Sequence, residues 1–406
     1  MPAARRPSAQ PLRQVPDLPV VAGAAILISI ALMWAADSAP AATPTAPAAA
    51  PAAASAPADA SAKALAARRQ EAVARGVAYL LKAQGKDGTW LPGDVGVTAL
   101  CTDALLSVGK TARDPEMGRA LTFLVRAQQA DGSICGTPPR LKVYSTSAAV
   151  MALAKADPKG YEGAIKKAAN FLLRSQGGAD ESIDEKNPAY GGLGYDGAGK
   201  GADLSNTHFF AQALHDAKVP PDHPAWKRLQ AFLSRCQNRS ESNDGLFPST
   251  EDGGAIYTPV GGGRSSAGVV DLEGGRKGHR SYGSMTYALY KSFTYADLNA
   301  RDPRTRAAWE WIRKNWSFEE NPGAGQPGLY YYYMAAAKAL TARGENPVMD
   351  ARRRPHDWKA ELSEAIVRRQ RADGSWANPE DRWYEGEKIA PVPTSYCLTA
   401  LAACGK

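Results

Sequence analysis

One pattern recurs along this chain and limits its fold more than any other feature. An amphipathic stretch ends in a glutamine, an Asp-Gly turn follows, and a large apolar residue closes the unit. It reads AVARGVAYLLKAQGKDGTW over residues 72–90, ALTFLVRAQQADGSI over 120–134 and EAIVRRQRADGSW over 364–376. Matches of this length do not arise by chance. Fainter copies end at Gln176, with Tyr190-Gly191-Gly192 following, and at Gln237, with Asn243-Asp244-Gly245-Leu246-Phe247 following. A further copy over 309–316 has lost both the glutamine and the Asp-Gly turn. Each copy precedes a second segment of small apolar residues, beginning at Thr98, Ser145, Ser205, Ser284, Tyr330 and Thr394.

A helical hairpin of this kind cannot bury both faces alone, so consecutive hairpins must pack on one another and the row must close or be capped. The expected fold is all-α: six hairpins in two concentric rings, an (α/α)6 toroid. Amphipathic helices form its outer ring and nearly all-apolar ones its inner ring. Gln84, Gln128, Gln176, Gln237 and Gln370 are expected to end outer helices, where an amide can satisfy orphan backbone groups. Trp90 and Trp376 are expected to seal the joints as buried plugs.

The toroid accounts for residues 63–406. Ahead of it, residues 20–36 (VVAGAAILISIALMWAA) form a 17-residue apolar run preceded by Arg5, Arg6 and Arg13. That asymmetry marks 1–38 as a signal peptide or N-terminal membrane anchor, with an uncleaved anchor the favoured form and the toroid on the non-cytoplasmic side, or secreted if the signal is cleaved. Residues 39–62 are almost only Ala, Pro, Ser and Thr, too poor in large apolar groups to pack, and read as a disordered tether. The net charge of +8 is spread along the chain. No basic stretch is interleaved with aromatics, which argues against a nucleic-acid partner. Cys101, Cys135, Cys236, Cys397 and Cys404 show neither disulfide nor zinc spacing, and read as small hydrophobes.

The Gln-x-x-Asp-Gly-x-Trp unit resembles the repeat of squalene and hopene cyclases, shared in looser form by protein prenyltransferase β subunits. The resemblance implies a cavity walled by the inner helices, with reactive groups near their N-terminal ends. Cyclases of this type open an inner helix on Asp-x-Asp-Asp-Thr, whose middle acid protonates an alkene or epoxide. The matching stretch here is Asp203-Leu204-Ser205-Asn206-Thr207. Ser205 and Asn206 stand where the acid pair would be, so Asp203 is the one candidate acid. Capping the following helix is the plainer role for it, and would hold its pKa low. The prenyltransferase zinc ligands, an Asp-x-Cys pair and a His, align with Tyr282-Gly283-Ser284 and Pro393, so no metal is expected. No cofactor is predicted either: there is no Asp-Asp-x-x-Asp cluster, no Cys-Gly-Glu-Gln thioester and no phosphate loop.

Aromatic residues remain. Tyr282, Tyr287, Tyr330, Tyr333 and Tyr396, with Asp203 and Asn206, are the candidate lining of a cavity for an isoprenoid or other lipid-like ligand. Such rings equally suit packing between helices. Two other functions stay open on the sequence. One is a non-catalytic scaffold that binds protein or glycan through rim loops, chiefly residues 241–280. The other is a toroid for a large cofactor.

Overall fold

The computed structural model describes residues 58–180, 182–197, 201–380 and 385–406. The apolar run at 20–36 and most of the tether lie outside them. Among the described residues no helix is long and apolar enough to cross a membrane. Ser55–Lys406 forms one compact unit.

Among the described residues, twelve α-helices alternate between two rings. The outer ring is α1 (Ala58–Ala83), α3 (Pro115–Arg126), α5 (Glu162–Ser175), α7 (Pro224–Arg235), α9 (Pro303–Lys314) and α11 (Trp358–Val367). The inner ring is α2 (Val95–Ser107), α4 (Lys142–Ala156), α6 (Leu204–Asp216), α8 (Gly283–Tyr295), α10 (Leu329–Arg343) and α12 (Pro391–Cys404). Helix α1 opens at Ala58, so the last residues of the expected tether are helical. Proline at the first position starts α3, α7 and α9, where its missing N–H costs no hydrogen bond. Two short antiparallel ribbons, β1 (Val269–Asp271) with β2 (Lys277–His279) and β3 (Val348–Met349) with β4 (Pro355–His356), sit in loops.

Each inner helix packs on the next, and α12 returns to α2, so the ring is closed. The outer ring closes through α1 against α11. The glutamines make the joints. Gln84 Nε2 donates to the Gly88 carbonyl of its own turn and to Glu116 O in the first turn of the next outer helix. Gln128 does the same with Gly132 and Ala164, Gln176 with Gly191 and Ala225, and Gln237 with Gly253 and Arg304. Gln370 bonds Gly374 and reaches Ala72 O of α1, joining the sixth hairpin to the first.

These turns need glycine for two reasons. Gly88, Gly132, Gly191, Gly253 and Gly374 all have positive φ, and each lies against the backbone of the next outer helix. A Cβ on Gly191 would stand 1.8 Å from Arg228 O. The fourth repeat departs from expectation here. Its joint is made by Asp252-Gly253, whereas Asn243-Asp244-Gly245 belongs to an insertion between Gln237 and that turn. Trp90 and Trp376 are buried as plugs, with each indole N–H donating to its own outer helix at Leu80 O and Ile366 O. Inner-helix threonines complete the unit. Thr146, Thr207, Thr286 and Thr394 accept the backbone N–H of Ile134, Leu193, Ala255 and Trp376, the residues that close the turns.

Candidate functional site

The inner helices run parallel, because their first-turn side chains meet one another and so do their last-turn side chains. At the N-terminal ends, Asp203 caps α6. Its Oδ1 accepts the Asn206 N–H at 2.8 Å, and its Oδ2 accepts Asn206 Nδ2 at 2.8 Å. The Tyr257 hydroxyl also bonds this carboxylate, and Arg264 lies close enough to act on it through its charge. The expected capping geometry is present, but the expected low pKa is not. Asp203 is only 2% exposed, and burial pushes its carboxyl up to about 6 against the hydrogen bonds and the Arg264 charge that favour the anion. Asn206 Oδ1 is buried without a partner.

Asp94 caps α2 through the Val97 N–H, and burial raises its pKa also. Another buried carboxylate, Glu385, accepts the Tyr331 N–H at 2.7 Å and Asn378 Nδ2 at 3.0 Å, and so caps α10 from a distant loop. Sequence reading missed Glu385 because nothing local links it to α10. Residues 241–280, a possible rim surface on sequence grounds, fold over this end of the barrel. Tyr257 O accepts the Leu204 N–H, and Thr258 Oγ1 donates to Ala202 O.

Four rings cross the lumen beneath. Tyr331 of α10 lies 6.5 Å from Phe209 of α6 and 5.8 Å from Tyr396 of α12, centroid to centroid. Tyr144 of α4 lies 5.2 Å from Phe209 and shares a hydrogen bond with Tyr396. None of these helix pairs except α4–α6 and α10–α12 are neighbours in the ring, so the contacts pass through its centre. The Tyr331 hydroxyl is held loosely, 3.2 Å from Ser205 Oγ and 3.5 Å from His208 Nε2. Burial and the charges of Lys291 and Lys338 depress the His208 pKa, leaving the imidazole neutral.

The expected lining is therefore only partly assembled. Tyr396 faces the lumen, and Tyr282 caps the entry to α8 with its hydroxyl on Ser266. Tyr287, Tyr330 and Tyr333 stand elsewhere. Tyr287 packs on Tyr332 at 5.6 Å, Tyr330 donates to Ala377 O, and Tyr333 donates to Phe318 O. All three are buried against neighbouring elements and the loops that join the rings. Four consecutive tyrosines cover every face of α10, and Tyr331, absent from the predicted set, is the one that points inward. Among the described residues no group of three or more His, Cys, Asp or Glu side chains converges as a metal site would.

Comparison with known proteins agrees with this geometry. Residues 91–250 match the family described as the squalene-hopene cyclase C-terminal domain. Sporulenol synthase of Bacillus subtilis is 30% identical over 183 residues, which is 43% of this chain and 27% of that protein. The chain thus spans about a quarter of that relative. The type II terpene cyclase MstE from Scytonema, solved as a variant with geranylgeranyl dihydroxybenzoate, superposes with a TM-score of 0.52 at 17% identity, over 84% of this chain and 99% of that one. A second MstE variant, holding merosterolic acid A, gives the same score, identity and coverage. With its repeats and its closed double ring, the chain resembles the squalene–hopene cyclases and terpenoid cyclases in fold and in the matched stretch of sequence.

Proposed function

We propose that this toroid binds an isoprenoid or comparable lipid-like molecule along its lumen. The observation that carries the reading is the band of rings formed by Tyr144, Phe209, Tyr331 and Tyr396 across the barrel. Aromatic faces suit an unsaturated chain or a cationic centre, and their hydroxyls can turn to the backbone. These rings pack against one another across the lumen. Tyr331 is the ring whose hydroxyl makes only two long contacts, so a ligand that displaces it breaks ring packing but no strong hydrogen bond. The bound isoprenoids named for the MstE structures support the same class of ligand here. The apolar run at 20–36 would hold the toroid at a membrane, where such molecules partition.

Binding without cyclisation is the favoured form, since Ser205 and Asn206 replace the acid pair. One observation favours turnover instead: the Asp203 carboxyl, pushed up to about 6, is partly protonated near neutral pH. Mass spectrometry of a lipid extract from the purified protein tests the main reading. We expect an isoprenoid at near-equimolar amount in wild type and a marked loss in Tyr331→Trp, which would jam the lumen. Wild type that is free of lipid, and that also fails to take up added squalene or farnesol, would overturn it.

A further inference from the structure

At the other end of the inner ring the lumen is cationic. Asp103 of α2, Lys155 of α4, Gln212 and Asp216 of α6, Lys291 of α8 and Lys338 of α10 all lie in the C-terminal halves of their helices. Lys155 Nζ is 2.6 Å from Asp103 Oδ1, and Lys338 Nζ is 4.0 Å from Asp103 Oδ2. Helices α2 and α10 are not neighbours, so this pairing also spans the lumen. Lys291 is only 2% exposed, yet among the described residues it forms no ion pair. Its Nζ donates to Gln212 Oε1 at 3.0 Å and stands 5.5 Å from the Tyr295 ring centroid. Asp216 is occupied by Gln212 Nε2 and His215 Nδ1.

Three ammonium groups therefore share two carboxylates, and the most deeply buried ammonium is in contact with neither. A buried cation with no carboxylate in contact is costly, and proteins seldom keep one without a use. Burial and the neighbouring Lys338 charge lower the Lys291 pKa, outweighing the Asp216 and Asp103 charges, which raise it. Lys155 remains 37% exposed along its side chain and Lys338 17%, so the cluster can be reached from this mouth. Its neighbour along α6 is His208, which touches Tyr331, so the cationic end and the aromatic band are continuous.

We infer that the C-terminal mouth of the lumen holds the oxyanion head of an amphiphile, with Lys291, Lys338 and Lys155 as its binding groups and the chain lying on the aromatic band. The ligand class is then an acidic or phosphorylated isoprenoid rather than a neutral hydrocarbon. This rests on the lumen being the ligand site, and the test separates the two ideas. Dissociation constants are measured for farnesyl diphosphate, farnesoic acid, farnesol and inorganic pyrophosphate, with wild type, Lys291→Met and Lys338→Met. The expected result is at least tenfold tighter binding of one or both farnesyl anions than of farnesol, reduced several-fold or more in each folded variant. The anion that gains more identifies the head as phosphate or carboxylate. Should farnesol bind as tightly as both anions, or should the preference persist in both variants, the head-group site is overturned while the isoprenoid reading stands. Pyrophosphate binding that Lys291→Met removes, with no farnesyl compound bound, would keep the anion site and overturn the isoprenoid reading. Absence of binding by all four probes would overturn the inference.

Discussion

Replacing Asp203 by Asn separates helix capping from proton donation, and the structure sets the size of the effect. The carboxyl titrates near 3.8 when unfolded and near 6 in the fold, because burial disfavours its charge. A pKa raised by folding contributes stability that is fully present below the unfolded value and is lost as pH rises through the folded one. Two pKa units correspond to about 3 kcal/mol, an upper bound on what the wild type gives up between pH 4 and pH 8. Asp203→Asn removes that loss. The cap survives, since asparagine is nearly as good as aspartate at this position. A rotation of the Asn206 amide would also offer its Oδ1, now without a partner, to the new side-chain N–H. Urea unfolding from pH 4 to pH 8 should show variant and wild type alike at the acid end. By pH 8 the variant should be more stable by roughly 1–3 kcal/mol. A variant weaker than wild type at pH 8, or a difference that does not change with pH, would refute this account of the buried carboxyl. The same variant decides the chemistry. We expect no change in any turnover of squalene or prenyl diphosphates, and a wild-type activity that disappears in the folded variant would make Asp203 the acid.

Two further outcomes concern the joints. Trp376→Ala should lower stability by about 3–5 kcal/mol in urea unfolding, because the indole is fully buried and its N–H is bonded to Ile366 O. Gln370→Ala should cost on the order of 1–3 kcal/mol by leaving two carbonyls without their shared donor. Hydrogen exchange should then rise around Ala72 and Gly374, the two ends of the ring-closing contact.

The ring architecture was legible along the chain because it is periodic. A glutamine, an Asp-Gly turn and an apolar plug repeat at positions that each serve one hairpin, and local chemistry dictates what each does. Gly88, Gly132 and Gly374 could be read directly, since the turn follows its glutamine within four residues. The fourth repeat could not, because an insertion separates Gln237 from Gly253 and places a decoy turn, Asp244-Gly245, between them. Only the packed structure shows which glycine meets the next outer helix.

The site itself was a matter of tertiary structure. The letters at 203–207 identified Asp203 as a cap, and the fold bears that geometry out. Its pKa depended on burial in the assembled fold, opposed by the Tyr257 hydrogen bond and the Arg264 charge, which arrive from a loop more than fifty residues away. The tyrosine run from Tyr330 to Tyr333 was visible as an aromatic helix, but direction is a property of rotation about the helix axis. The assembled ring alone turned Tyr331 inward and left Tyr330 and Tyr333 to bond backbone carbonyls. Lys155, Lys291, Lys338 and Asp103 lie on four different helices, and in the sequence each looks like an isolated charge in an apolar segment. Closure of the ring brought them to one mouth, because parallel inner helices put equivalent turns at equal depth. The sequence by itself thus determined the repeating hairpin and its joints, which depend on contacts short in the chain or repeated along it. The lumen and its charges were decided only when the sixth hairpin met the first.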